Sequence, residues 1–293
     1  AVWVCTGGAR GATRFLAHEL GRRFGLRLHL IGASPAPRLG NEVRRLSGDG
    51  LRALRLETMR LAREDGRNPV GAWQDMEKAL EIEASLEEFD RHGIHARYHA
   101  CDVADREALA RVLDAIRAED GAIEGLLHGA GFSRDGRIEH KRPEHVARCF
   151  RSKLDGAYHL MELTQQDPIR HLVTMGSISG RFGANGQTDY SLSNDMLAKL
   201  VSWYRGQRPE VAAVNVDWHA WDDVGMATRA ETRLALESIG MRFMPAAEGS
   251  AHLLAELSAG CPESEVLITD DRYARMFGLG HLISRDGLES NAA

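Results

Sequence analysis

Seven short apolar runs punctuate the chain: VWVCT (2–6), LRLHLIG (26–32), ARYHACDV (96–103), GLLHGAG (125–131), HLVTMGS (171–177), VAAVNVDW (211–218) and EVLITD (265–270). The segments between them are longer and repeat apolar residues at helical spacing, as in TRFLAHELGRRF, REALARVLDAIRA, VARCFRSKLDGAYHLMEL and SLSNDMLAKLVSWYRG. Strands that are apolar on both faces must be covered on both, and helices between successive strands provide that cover. The alternation therefore predicts an α/β fold, a Rossmann-like doubly wound parallel sheet with helices on both faces. One core of this size would bury roughly 75% of the unfolded surface, so residues 1–293 are expected to form a single domain.

One connection is too long. Between Pro35 and His95 the chain far exceeds a crossover helix. The later part, GAWQDMEKALEIEASLEEFDRHG, sets Trp73, Met76, Leu80, Leu86 and Phe89 on one helical face and ends at the capping Gly93. The earlier part is then a helical insertion over 35–70, either a partner surface or a solvated decoration. Residues 222–257 follow a strand on the ligand-binding edge of a parallel sheet and are expected as a substrate lid. Residues 271–293 read as a C-terminal tail. The chain starts inside a strand without a methionine, as a piece of a longer polypeptide would.

A formal charge of −5 offers nothing to attract nucleic acid or an anionic membrane. Apolar runs fall short of the roughly 20 residues a membrane span needs, and the first residues hold no basic region ahead of an apolar stretch. The cytoplasm is the expected location. Cys5, Cys101, Cys149 and Cys261 have neither redox nor metal-ligand spacing, so buried, reduced thiols and no metal site are expected.

Directly after the first strand, TGGARGAT (Thr6, Gly7, Gly8, Arg10, Gly11, Ala12 and Thr13 among it) opens the first helix. Glycines there allow a sharp turn and close approach of a pyrophosphate, and free N–H groups of the helix face the anion. A Gly-rich turn after any strand can also be a mere tight connection. The second strand ends in Gly32, Ala33 and Ser34, with none of the acidic residues that hold a ribose 2′-hydroxyl. A 2′-phosphate would not be repelled there, and Arg10 is placed to pair with it, so NADPH is the expected cofactor. Asp102 can accept from the adenine amino group or cap the following helix, with Val103 on the ring. His128, Gly129, Ala130 and Gly131 end the fourth strand, where small residues let backbone lie against the cofactor; the His128 side chain reads as packed in the strand.

Hydride transfer to a carbonyl puts negative charge on oxygen, which calls for a proton donor and a second hydrogen bond. Tyr190 and Ser177 supply both. Bringing a phenol near neutrality takes a shift of about 3 units, or about 4 kcal/mol, which a cation at about 4 Å provides at an effective dielectric of 20. Lys199 lies nine residues beyond Tyr190, about 13 Å along a helix, and is too far. Lys153, on the helix preceding the strand of Ser177, can pack beside Tyr190. Asn194, one turn after Tyr190, can orient Lys153 or a water.

The Gly-rich loop, CDVAD, HGAG, Ser177 thirteen residues before Tyr190, and DWHAWDDVGMA (217–227) resemble the short-chain dehydrogenase/reductase superfamily. Most members carry YxxxK. The chain instead has YxxxN, with a lysine in KLDGA, and so resembles the ketoreductase domains of type I iterative polyketide and polyunsaturated fatty-acid synthases. That resemblance implies NADPH-dependent reduction of a β-ketoacyl thioester on an acyl carrier protein, with other synthase domains as partners and a homodimer as a compatible state. It also implies that Ser177 positions the carbonyl, Tyr190 gives the proton, and Lys153 and Asn194 support the relay. Ser179 rivals Ser177, but the thirteen-residue spacing favours Ser177 and leaves Ser179 a turn role. WHAW (218–221) departs from the family's usual pattern, and of its stereochemical signature only Asp135 in FSRDG remains. Competing readings are a free-standing reductase of a small ketone or sugar, and a silent scaffold using the insertion.

Overall fold

The computed structural model describes residues 1–36, 39–44, 46–222, 224, 233–234, 236–237 and 241–278. Seven strands, β1 (Val2–Thr6), β2 (Arg27–Gly32), β3 (Ala96–Ala100), β4 (Ile123–His128), β5 (His171–Ser177), β6 (Ala212–Trp218) and β7 (Glu265–Ile268), form one sheet in the order β3-β2-β1-β4-β5-β6-β7. Every pairing is parallel. The seven apolar runs are these strands. Three of them, β3, β4 and β7, stop short of their apolar ends. β3 ends at Ala100 because Asp102 turns back to accept the N–H of Ala104 at 3.1 Å. β4 ends at His128, where Gly129 leaves the sheet while still donating to the carbonyl of Thr6 at 2.9 Å.

Two layers of helix cover the sheet, as strand alternation demands. On β1, Trp3 and Cys5 face one core with Leu16, Leu20, Ile82, Phe89 and Leu253. Those residues come from α1 (Gly11–Phe24), α4 (Pro69–Arg91) and α10 (Ala246–Ser258). Val2 and Val4 face the other core with Leu109, Ile116, Leu160, Leu197 and Val201, from α5 (Arg106–Asp120), α7 (Gly156–Leu163) and α9 (Thr188–Gln207). Further α-helices are α2 (Asn41–Arg44), α3 (Asp49–Glu64), α6 (Pro143–Phe150), α8 (Ile178–Phe182) and α11 (Asp271–Met276).

The long second connection resolves as read. Its crossover helix is α4, whose Asn68 side chain caps the first turn by accepting from Val70 N at 3.1 Å. The insertion contributes α2 and α3, and Arg55 of α3 lies 5.9 Å over the ring of Trp73. The expected lid over 222–257 falls partly outside the described residues, as do 279–293 of the tail. Within the described part of the tail, Asp271–Met276 is helical and capped by Asp270. All four cysteines are buried and free. Among the described residues no helix is long and apolar enough to cross a membrane.

Trp3 packs its indole flat onto the backbone of β4. A Cβ on Gly125 would meet the ring at 2.1 Å. Gly125→Ala is expected to lower the urea midpoint by the equivalent of about 1–3 kcal/mol with an unchanged m-value; an unchanged midpoint would mean the indole is not seated there.

Candidate active site

The carboxyl ends of β1, β4 and β5 meet where the strand order reverses direction from β1, the place where open α/β sheets leave a crevice. A cleft of about 2850 Å³ opens there. Its floor is a close approach of two turns. Gly7 has φ +71°, and a Cβ on it would meet the carbonyl oxygen of Gly129 at 2.8 Å; a Cβ on Gly129 would meet Oγ1 of Thr13 at 2.0 Å. Only glycine fits this contact. Gly7, Arg10, Gly11, Ala12, Ser34, Asp102, Val103, Gly129, Ala130 and Gly131 line the cleft.

Thr6, Gly8 and His128 do not. Gly8 turns into the core, where a Cβ would meet that of Cys5 at 2.7 Å. Thr6 Oγ1 lies 2.8 Å from His128 Nδ1 and accepts from Ala130 N at 3.3 Å, beneath the cleft. Asp102 does not cap α5; Asp105 does, accepting from Ala108 N at 2.9 Å.

The mouth of α1 already engages an anion of the chain itself. Glu81 of α4 accepts from Arg10 Nε at 2.6 Å and from Gly11 N at 3.3 Å. Sequence reasoning did not anticipate this pairing of the 2′-phosphate candidate, and no local signal marks it, since the two residues lie on separate helices. The same donors fit a phosphate of a dinucleotide.

Lys153 enters the cleft from a break in helical winding. The single helix expected over VARCFRSKLDGAYHLMEL is α6 and α7 joined by a wider π-type turn at Arg151–Asp155, a feature that recurs at functional sites. His128 fastens this turn to the sheet, its Nε2 2.9 Å from the Lys153 carbonyl. Burial pushes the imidazole down to about 3, so it is neutral. The Lys153 side chain is buried; its Nζ donates to the Met175 carbonyl at 2.8 Å and stands 5.6 Å from the centroid of the Tyr190 ring. Burial lowers its pKa to about 8, with Cys149 and Asp217 acting the other way. Lys199 pairs with Asp195 on the exposed side of α9.

Tyr190 lies in the first turn of α9 and is buried. The expectation that its phenol is brought near neutrality meets the opposite direction. Burial pushes it up to about 12, while Asn194 and Ser177 oppose the rise. Desolvation of a phenolate outweighs its neighbours here, and Tyr190 holds its proton. Ser177 caps α8. Its Oγ accepts from the amide and the hydroxyl of Ser179 at 3.3 and 3.0 Å, and both serines line the cleft. Asn194 is wholly buried and does not reach the cleft; its Nδ2 donates to the Tyr190 carbonyl at 2.8 Å. Its Oδ1 is buried without a protein partner, an acceptor suited to a water or an ammonium.

A polar ladder lies behind Ser177. Thr174 Oγ1 donates to Asn215 Oδ1, and Asn215 Nδ2 donates to Asp217 Oδ1, each at 2.8 Å; Asp217 Oδ1 also accepts the Ser177 amide at 3.1 Å. Burial, and then Glu265, push the Asp217 carboxyl well above the usual carboxylate range. These residues were missed, although the polar alternation in VNVDW, inside a strand buried on both faces, was a visible signal.

A doubly wound sheet with a Ser–Tyr–Lys cluster at its carboxyl edge defines the short-chain dehydrogenase/reductase class. Within it, the chain belongs to the KR domain family, whose model matches residues 1–223. That is a family of ketoreductases, oxidoreductases that use a nicotinamide cofactor. The chain is 30% identical over 74% of its length to polyketide synthase PksL of Bacillus subtilis, 38% identical over 60% to polyketide synthase GfsB of Streptomyces halstedii, and 26% identical over 91% to a polyunsaturated fatty acid synthase chain from a Thraustochytrium species. It spans only 5%, 3% and 10% of their respective lengths. Among solved structures, a ketoreductase domain from the bacillaene assembly line superposes with a TM-score of 0.71 at 22% identity, covering 92% of this chain and 55% of that one. An A-type ketoreductase of a modular polyketide synthase gives 0.69 at 26% identity, covering 94% and 49%.

The Lys153 ammonium has a consequence for stability. Its pKa is lower folded than unfolded, so between pH 8 and 10.5 the unfolded chain binds more protons and stability rises with pH. Against Lys153→Met, the wild type is expected to gain up to about 3 kcal/mol across that window in denaturant titrations. A pH-independent difference would place the amine in water.

Proposed function

We propose that this chain reduces a β-ketoacyl thioester, carried on an acyl carrier protein, to the β-hydroxyacyl thioester with NADPH. The observation that carries the reading is the buried Lys153 ammonium beside the Tyr190 ring, with Ser177 lining the same cleft. Gly7, Arg10, Gly11, Ala12, Ser34, Asp102, Val103, Gly129, Ala130 and Gly131 would hold the dinucleotide, and the absence of a carboxylate among Gly32, Ala33 and Ser34 favours the 2′-phosphate form. NADPH, when bound, supplies the hydride.

Ser177 Oγ donates to the substrate carbonyl oxygen and fixes it near Tyr190. Tyr190 Oη then gives its proton to that oxygen as charge develops there. A phenolate left behind would carry the burial penalty of its raised pKa, a rise of about 2 units or about 3 kcal/mol. The Lys153 ammonium, 5.6 Å from the centroid of the Tyr190 ring, opposes that penalty, since opposite unit charges about 6 Å apart attract by about 3 kcal/mol at an effective dielectric of 20. The lysine thereby favours proton donation from a buried phenol. Asn194 Oδ1 accepts from a water, or from the ammonium, along the route by which the proton on Tyr190 is replaced.

We assign the lid role to 222–257, on the ground that Trp221, Val224, Leu236 and Met241 line the cleft with Tyr273 and Phe277. An apolar wall of this kind suits an acyl chain. The carrier protein and neighbouring synthase domains follow from the similarity to multidomain synthases, of which a chain this long is a small part. We take 1–293 as one reductase domain.

Tyr190→Phe is expected to lower kcat for a short β-ketoacyl thioester by about 10²–10⁴-fold while NADPH still binds; undiminished turnover would overturn the assignment. In the wild type, kcat/KM for reduction should fall as pH rises through about 8, where Lys153 loses its charge. A profile flat to pH 10 would remove the ammonium from the mechanism.

A further inference from the structure

The loop 131–142 between β4 and α6 walls one side of the cleft with Gly131, Phe132, Ser133 and Asp135. It is fastened to the start of α9 at three points. Gly136 N donates to the Gly186 carbonyl at 3.0 Å, and Gln187 Nε2 donates to Asp135 Oδ2 at 3.1 Å. The third is an ion pair, Lys141 Nζ to Asp189 Oδ1 at 2.6 Å, with side chains only 7% and 6% exposed. Arg117–Asp167, a less buried pair, leaves its arginine side chain 29% exposed. Lys141 also donates to the Arg134 carbonyl at 3.0 Å, tying both ends of the loop to one ammonium. Asp189 Oδ1 accepts the N–H of Tyr190 at 3.0 Å, one of the first-turn amides that a helix leaves without an internal partner.

We propose that Lys141 and Asp189 are a positioning pair that fixes the first turn of α9, and so the Tyr190 hydroxyl, against the loop that walls the cleft. This rests on the reading of Tyr190 as proton donor. Taking both charges out of water costs several kcal/mol per ion, and apolar residues of similar volume would hold the fold as well. What a buried pair adds is direction. A carboxylate that accepts at once from an ammonium on the loop and from the Tyr190 amide allows one relative placement of the two, whereas apolar contacts allow many. Proton donation is sensitive to such placement, since a shift of about 1 Å costs on the order of 10²-fold in rate.

The decisive variant is the double substitution Lys141→Met, Asp189→Leu, which leaves no lone buried charge. It is expected to keep its melting temperature and to bind NADPH within about twofold of the wild type, while kcat for a β-ketoacyl thioester falls at least about tenfold and KM changes little. Turnover within about twofold of the wild type would reduce the pair to packing and overturn the proposal. Should the double variant not fold, Asp189→Glu decides. It keeps the charge but moves the carboxylate by one methylene, and a tenfold lower kcat that Lys141→Arg does not share supports the pair, whereas unchanged kcat sinks it.

A second readout separates this idea from the functional reading. With carbon-13 at the phenolic carbon of tyrosine, the Tyr190 resonance, assigned through Tyr190→Phe, should shift in the pair variants while the other four of the five tyrosines stay put. A wild type that binds NADPH but reduces no β-ketoacyl thioester would refute the substrate and leave this test standing. An unmoved Tyr190 signal would refute the pair alone.

Discussion

A lysine ammonium kept out of water is the constraint around which the rest of this molecule is arranged. Lys153 is buried, and burial pulls its pKa down to about 8 although Cys149 and Asp217 oppose the fall, so the amine keeps its charge at neutral pH but loses it within the mildly alkaline range. The Met175 carbonyl accepts one of its protons. The wider turn at Arg151–Asp155 aims the side chain inward, and a neutral His128 bridges from Thr6 on β1 to the carbonyl of Lys153 itself. A charged imidazole in that bridge would repel the ammonium, and its burial prevents the charge from forming. Strand β1, strand β4 and the turn that carries the lysine are thus locked together by one histidine whose side chain never meets the cleft.

The sheet supplies the second half of the arrangement from below. Ser177 is the last residue of β5, and its amide is held by Asp217 on the neighbouring strand. Gly176 admits this contact, since a Cβ there would meet Asp217 Oδ1 at 2.2 Å. The ladder Thr174–Asn215–Asp217 satisfies its buried polar atoms in sequence along two paired strands, which is what lets a polar network rigidify a core instead of weakening it. The Ser177 hydroxyl is then turned by Ser179 at the start of α8. Strand register fixes where the hydroxyl stands, and the turn after it fixes where it points.

Much of this was legible in the sequence, and the division is physical. The strands declared themselves because a parallel sheet covered on both faces demands continuous apolar runs. The Gly-rich turn after β1 was legible as a tight turn because only glycine tolerates the approach of Gly7 to Gly129. Lys153 was reachable because a buried phenol needs a cation and Lys199 lay too far along its own helix. What sequence did not yield depends on contacts between distant elements. The direction of the Tyr190 shift turned on how completely the side chain is buried, which no local pattern reports. Asp217 and Asn215 were within reach, since polar residues alternating inside a strand buried on both faces need partners. Lys141 was not: its partner Asp189 adjoins Tyr190, but nothing in HKRPEH sets that lysine apart from an exposed one.

The same logic bears on the long second connection. Helix α4 does more than return the chain from β2 to β3: Glu81 and Glu88 on it meet Arg10, the residue before α1, and Arg14 within it, so the crossover helix lies over the Gly-rich turn through two ion pairs. The Arg10–Glu81 pair is half exposed, and such pairs are worth about 0–1 kcal/mol. On the proposed reading, a cofactor phosphate would bring more charge than a carboxylate and three acceptor oxygens, so its exchange for Glu81 at Arg10 and at the mouth of α1 would be favourable, with the released carboxylate turning to water at little cost. The pair can therefore hold Arg10 in place beside the cleft without closing it. A stronger, buried pair at that point would have blocked the anion, while no pair would have left the guanidinium free to wander. Intermediate exposure is the condition under which one arginine can be both ordered and available.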